Sequence, residues 1–182
     1  MTRKSALASA ATAAALFAVV GTTAASHDDE GRRARRLKAD LVGFGEVPAV
    51  STAARGSFRA VLSEDESEIR YHLDYAGLQG AVTQSHIHVG AHHTNGGISV
   101  WLCGTAALPG PAGTPPCGDP GGDGPEASGT LTTANVIGPT NQLVAAGEFA
   151  ELVRAIKAGV TYANVHTTAV PSGEIRGQIK VD

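Results

Sequence analysis

Glu68-Ile69-Arg70-Tyr71-His72-Leu73-Asp74-Tyr75 alternates without a break. Ile69, Tyr71, Leu73 and Tyr75 share one face of an extended chain, and Arg70, His72 and Asp74 share the other. Side chains in a strand change face at every residue, so this octet is a strand with one dry and one wet side. Strands of that kind belong to antiparallel sheets. The same reading extends to residues 37–44, 56–62, 82–89, 97–102, 127–133, 161–167 and 174–181. In the last stretch Ile175, Ile179 and Val181 read as core-facing, and Glu174, Arg176, Gln178 and Lys180 as outward. About eight short strands in a chain with 23 glycines and 4% aromatics predict an all-β fold, an antiparallel Greek-key β-sandwich or barrel.

One segment breaks the period of two. Phe149, Leu152, Val153 and Ile156 fall at i, i+3, i+4 and i+7, the spacing of an amphipathic helix. Lys157 complements the last-turn dipole and Gly159 suits the position after the helix end. One short crossover helix is therefore expected just before strand 161–167.

The first 25 residues read as a signal peptide. Arg3 and Lys4 precede an apolar run from residue 6 to 20, and Thr23-Ala24-Ala25 resembles a cleavage site. Residues 26–37 form a charged flexible tail, and residues 38–182 the domain. Losing Arg3 and Lys4 takes the 14 Lys+Arg to 12 against 17 Asp+Glu, a net charge of −5. An acidic chain lacks the basic face that general nucleic-acid binding needs. No second apolar run reaches spanning length, so no membrane span is expected. The mature protein is expected to be secreted or extracytoplasmic, where the two cysteines, Cys103 and Cys117, are most simply a disulfide. The 103–123 segment, rich in Gly and Pro, then reads as a surface loop tied at its base.

The chemistry concentrates in histidines. His86 and His88 point the same way on a strand while Ile87 and Val89 point the other, and His166 lies in strand 161–167. Imidazole suits first-row transition metals, and Cu(II) is the most tightly bound of them. Three imidazoles on two strands would make a metal site with open positions. No carboxylate or thiolate accompanies the set, so copper is favoured over zinc. Asn164, Glu174 and Thr167 are the nearby acceptors for orienting these rings. The plainer alternative is that His86 and His88 face outward and hydrogen-bond across the sheet.

His92 and His93 are adjacent, so at most one could join such a site, and the turn signal 94–97 suits exposed loop residues. His72 reads as solvated beside Arg70 and Asp74, and His27 as an adventitious copper ligand near the mature N-terminus. Arg176 reads as paired with Glu174 at i−2, or else as an anion-guiding residue. Trp101 faces opposite to Val100 and Leu102, as a core anchor or an exposed binding aromatic. Glu46, before Val47-Pro48, reads as a turn residue. Gly-x-Ser-x-Gly, a phosphate-binding glycine loop and paired catalytic carboxylates are all missing.

An ordered set of motifs resembles the CHRD domain, named after chordin. It comprises Gly45-Glu46-Val47-Pro48-Ala49-Val50, Tyr71-x-Leu73-x-Tyr75-x-Gly77-Leu78, Ser85-His86-Ile87-His88-Val89-Gly90 with Val100-Trp101-Leu102-Cys103, Phe149-Ala150-Glu151-Leu152-Val153-Arg154, and Asn164-Val165-His166-Thr167 followed by Gly173-Glu174-Ile175-Arg176-Gly177-Gln178. The resemblance covers about Lys38 to Val181. It implies an extracellular all-β domain without implying an established activity, and chordin's role as a growth-factor antagonist does not carry over to a single copy. A more distant likeness of pattern concerns copper/zinc superoxide dismutase, whose His-x-His strand, late strand histidine and arginine would correspond to His86, His88, His166 and Arg176. That enzyme's zinc ligands have no counterpart here beyond His92 and His93.

The expected function is a non-enzymatic binding or structural module for an unknown extracellular ligand or protein, with a histidine metal site. The alternative is a copper-dependent redox protein.

Overall fold

The computed structural model describes residues 33–119 and 126–182. The stretch read as a signal peptide, His27 and most of the charged tail lie outside the described residues. The elements are β1 (Arg35–Val42), β2 (Arg55–Leu62), β3 (Ile69–Ala76), β4 (Val82–Val89), β5 (Gly97–Gly104), β6 (Ala127–Leu131), α1 (Phe149–Lys157), β7 (Thr161–Thr167), β8 (Ile175–Gln178) and β9 (Lys180–Val181). Strand β1 starts inside the stretch read as tail, so Arg35, Arg36 and Leu37 are strand instead.

All pairings between these strands are antiparallel. One sheet runs in the order β5-β4-β7-β8-β1-β2-β3-β6, and β9 extends it alongside β1. Its two ends, β5 and β6, lie against each other, so the sheet curls into a nearly closed barrel of eight strands. Between β3 and β4, and again between β6 and β7, the chain crosses to a strand that is not its neighbour. Such crossings separate a Greek key from a simple meander.

Register explains the interior. Leu37 pairs with Ala60 and Ala60 with Tyr71; Ala39 pairs with Phe58 and Phe58 with Leu73. The first row alternates large, small, large, the second sets Phe58 against Leu73 beside the small Ala39, and all six residues are buried. Burying one large apolar side chain stabilises by about 1.5–3 kcal/mol. At the end of its row Tyr71 faces Gly129, where an added Cβ would fall 3.0 Å from the Tyr71 hydroxyl. That hydroxyl donates to Leu102 O at 2.6 Å and so ties β3 to β5 across the barrel. Tyr75 OH donates to Gly118 O at 2.7 Å. Burial raises the pKa of both phenols, so they stay donors.

Helix α1 buries Phe149, Leu152, Val153 and Ile156, the four residues of the helical stripe. It ends where Gly159 turns left-handed at φ +70°. No helix among the described residues is long and apolar enough to cross a membrane. Cys103 and Cys117 form a disulfide, and Gly104 pairs with the loop beside it through Gly104 N–H to Pro115 O and Cys117 N–H to Gly104 O.

The C-terminal stretch 174–181 departs from the expected single strand. It divides into β8 and β9 at Ile179, which is fully buried and whose N–H donates to Thr161 O at 2.9 Å. Ile179 thus bonds toward β7 while the strands on either side of it pair with β1.

Candidate functional site

The site lies on the outer face of the barrel wall, behind the core. On β4, Ile87 points inward and is fully buried, which turns His86 and His88 outward. Strand pairing sets His86 opposite both Asn164 and Trp101, His88 opposite Tyr162, and Gln84 opposite His166. Arg176 on β8 follows Asn164 in the same row. The three histidines therefore meet: one ring nitrogen from each lies within 4.8 Å of those of the other two.

His86 and His88 do face outward, and His86 hydrogen-bonds across the sheet to His166, but this outer face is roofed rather than wet. His86 is fully buried, and His88 and His166 are each 7% exposed. The segment between β4 and β5 covers one side, where Gly96 O lies 2.9 Å from His88 Nδ1. The turn before β8 covers another, where Pro171 O lies 2.9 Å from His166 Nδ1. Trp101 stands edge-on to His86 with ring centroids 4.4 Å apart. The disulfide-tied loop leans on it in turn: a Cβ at Gly110 would fall 2.7 Å from the indole. Trp101 is thus half-buried against the site, neither core anchor nor exposed aromatic.

Protonation follows from the partners. Burial, and then the neighbouring imidazoles, push the pKa of His86 down to about 2. Burial pushes His88 down to about 4 against the opposing pull of the Gly96 carbonyl. His166 is lowered by burial, opposed by the Pro171 carbonyl. The cluster is therefore neutral at physiological pH. A carbonyl oxygen only accepts, so His88 and His166 carry their protons on Nδ1 and turn an Nε2 lone pair inward. His86 Nδ1 lies 3.2 Å from His166 Nε2 and donates to that lone pair. Among the described residues, Nε2 of His86 and Nε2 of His88 are buried with no hydrogen-bond partner.

Of the three acceptors expected to orient the rings, only Asn164 touches one: its Oδ1 lies 3.2 Å from His166 Nε2. Glu174 and Thr167 bond each other instead, at 2.8 Å. Glu174 was expected to face outward, yet it is fully buried. It accepts from Thr52 Oγ1 at 2.9 Å and from Gln79 N–H through both oxygens. Arg176, in the same outer row as Asn164, is likewise covered, at 2% exposed. It does not pair with Glu174. Its guanidinium lies 3.4 Å from the centre of the Tyr162 ring and donates to Thr94 O at 2.9 Å and Ala91 O at 3.3 Å. Tyr162 also stacks on His88, with ring planes 3° apart.

Glu46 has more than a turn role. It is 7% exposed, and its Oε1 has no hydrogen-bond partner among the described residues. A Cβ at Gly173 would fall 2.4 Å from that oxygen and 3.0 Å from Asn164 Nδ2, so both side chains crowd the bare glycine. Burial raises the Glu46 pKa to about 7, against the opposing charge of Arg176 and the Asn164 amide. Alternation could not reveal this residue, because it sits in an irregular segment after β1.

His92 and His93 stay outside the cluster. Both are exposed, edge to face with centroids 3.9 Å apart, and they line an open cleft with Lys38, Lys180 and Arg176. His72 is exposed on β3.

Residues 37–179 match the family model described as CHRD domain. No curated protein and no solved structure matches the chain significantly.

Proposed function

The chain belongs to the CHRD domain family, and from that footing we propose an extracellular, non-enzymatic binding module that holds one transition-metal ion, copper in preference to zinc, between His86, His88 and His166. The observation that carries this reading is the pair of partnerless Nε2 atoms on His86 and His88, next to His166. An unsatisfied buried polar atom costs about 1–3 kcal/mol, so two in one cluster call for a ligand that accepts lone pairs. Donor bonds of about 2.0–2.1 Å place any two donors at most about 4.2 Å apart. Donors within 4.8 Å need only small rotations to close on an ion.

An all-imidazole set, with no carboxylate or thiolate among the clustered donors, favours copper. The disulfide and the family both suit an oxidising, extracellular setting. The carbonyls of Gly96 and Pro171 supply the outer hydrogen bonds that metal-bound imidazoles usually make.

Trp101, the single tryptophan, reports on the site. The full chain carrying His27→Ala is titrated with Cu(II) and with Zn(II), followed by Trp101 fluorescence and copper EPR. The expected result is one ion per chain, copper bound more tightly, nitrogen hyperfine structure, and loss of binding in His86→Ala/His88→Ala. Unchanged binding in a folded double variant, or no binding by the parent, refutes the reading.

A copper-dependent redox protein is the second reading, favoured by the coordination positions that three protein donors leave open. It requires the loaded domain to cycle between Cu(II) and Cu(I). A domain that loads but cannot be reduced excludes it.

A further inference from the structure

Matching donors to acceptors around Asn164 leads beyond the three histidines, while resting on the metal-site reading. His166 Nδ1 faces a carbonyl and must carry a hydrogen. Its Nε2 therefore presents a lone pair, which His86 Nδ1 and the Asn164 amide both face at 3.2 Å. With its oxygen toward His166, the amide sets lone pair against lone pair. With its –NH2 toward His166, it donates. The two ends of an amide are told apart only by such partners. The donating orientation turns the Asn164 oxygen toward Glu46, and two oxygens can meet there only if one carries a hydrogen. Only Glu46 can carry it. A neutral carboxyl then donates to Asn164, the Asn164 –NH2 shares the His166 lone pair with His86 Nδ1–H, and His166 donates to Pro171.

A divalent cation reverses this order. The His166 lone pair passes to the metal, and both His86 Nδ1–H and the Asn164 –NH2 lose it as acceptor. The amide regains a partner by turning over, with –NH2 toward a Glu46 that has become a carboxylate. We propose that Glu46 is protonated while the histidine cluster is empty and releases that proton to solvent when the cluster takes a divalent cation, the Asn164 amide reversing between the two states. The Glu46 O–H bond breaks, its electron pair stays on the carboxylate, and the new negative charge offsets part of the ion's charge. No redox partner is needed.

Glu46 is suited to this. It is buried, it is not one of the clustered donors, and Gly173 leaves room for it beside Asn164. The charged and titratable groups that act on it are Arg176 of β8 and Tyr162 of β7. The Arg176 guanidinium rests on the Tyr162 ring and stabilises the carboxylate once it forms.

Calorimetry with zinc, which is redox-silent, tests the proposal on the full His27→Ala chain. Titrations in buffers of different ionisation enthalpy give the protons released per ion at about pH 6 and about pH 8.5. The expected release is about one proton at the lower pH and near none at the higher, with roughly tenfold weaker zinc binding at the lower pH. In Glu46→Gln the release at the lower pH disappears and affinity loses that pH dependence. The infrared band of a protonated carboxyl, present in the metal-free parent and lost on adding zinc, gives the same answer without a variant. Zinc binding with no proton release at the lower pH, or with the same release in Glu46→Gln, overturns the role of Glu46 and leaves the metal site standing. No zinc binding at either pH removes the metal site and this inference with it.

Discussion

Replacing Glu174 with alanine should destabilise the domain by about 4 kcal/mol. The carboxylate is fully buried, and no lysine or arginine forms a salt bridge with it among the described residues. Three donors converge on it: Thr52 Oγ1 at 2.9 Å, Thr167 Oγ1 at 2.8 Å and Gln79 N–H at 2.9 and 3.1 Å. A hydrogen bond to a charged group contributes about 1.5–3 kcal/mol, and removing one partner strands the others. Simple addition overshoots, because Thr52 and Gln79 are part-buried and regain water. Breaking a buried charge network costs about 3–5 kcal/mol. Glu174→Gln keeps the shape but turns an –NH2 toward hydroxyl donors, and should cost about half as much. In urea the midpoint should fall with the slope unchanged. By heat, about 4 kcal/mol should lower the Tm by about 8–16 °C for a domain of this size. A loss under about 1 kcal/mol for the alanine variant would refute the claim that this carboxylate joins β8 to the segments around Thr52 and Gln79.

Opening the disulfide with Cys103→Ala/Cys117→Ala removes a link between residues 14 apart, and should lower stability in a urea titration by about 3 kcal/mol. Acid titration of the metal-free domain should show two opposing linkages. His86, His88 and His166 have folded pKa values below the ordinary 6.5, so the unfolded chain binds up to three protons that the fold refuses, and stability is lost as pH falls below about 6.5. Glu46, raised from 4.5 to about 7, works the other way: the fold keeps a proton that the unfolded chain releases, and this stabilises as pH falls through about 7. His86 and His88 together outweigh Glu46 by about one proton, and His166 adds in the same direction, so stability measured by urea should fall by at least about 1.4 kcal/mol per pH unit between about pH 6 and pH 5. A flat profile there would contradict the neutral, buried state of the histidines.

Local parity made most of the barrel legible. Ile69 to Tyr75 and the helical stripe of Phe149 to Ile156 read correctly because their burial follows the period of the backbone itself. Parity also told which way His86 and His88 turn. It was silent on what stands over the outer face. Glu174 and Arg176 look solvated in sequence because acids and bases usually are. They are buried because residues far along the chain, Gln79 for Glu174 and Ala91 and Thr94 for Arg176, bring backbone donors and acceptors to them. The same long-range roofing places Trp101 against His86 and Glu46 beside Asn164.

Strand β4 serves two masters in turn, with Ile87 in the apolar interior and His86 and His88 under the roof. Gaining or losing a single codon there would swap the two sets at once, which leaves almost no viable path for length change. The loop that runs from the end of β5 to Pro116 has no alternating faces to preserve; it is pinned at its base by the Cys103–Cys117 bond and rests on Trp101 at Gly110. Divergence among descendants of this domain should therefore concentrate in that loop. It is also where a new recognition surface could be grafted while the wall and its imidazoles stay untouched.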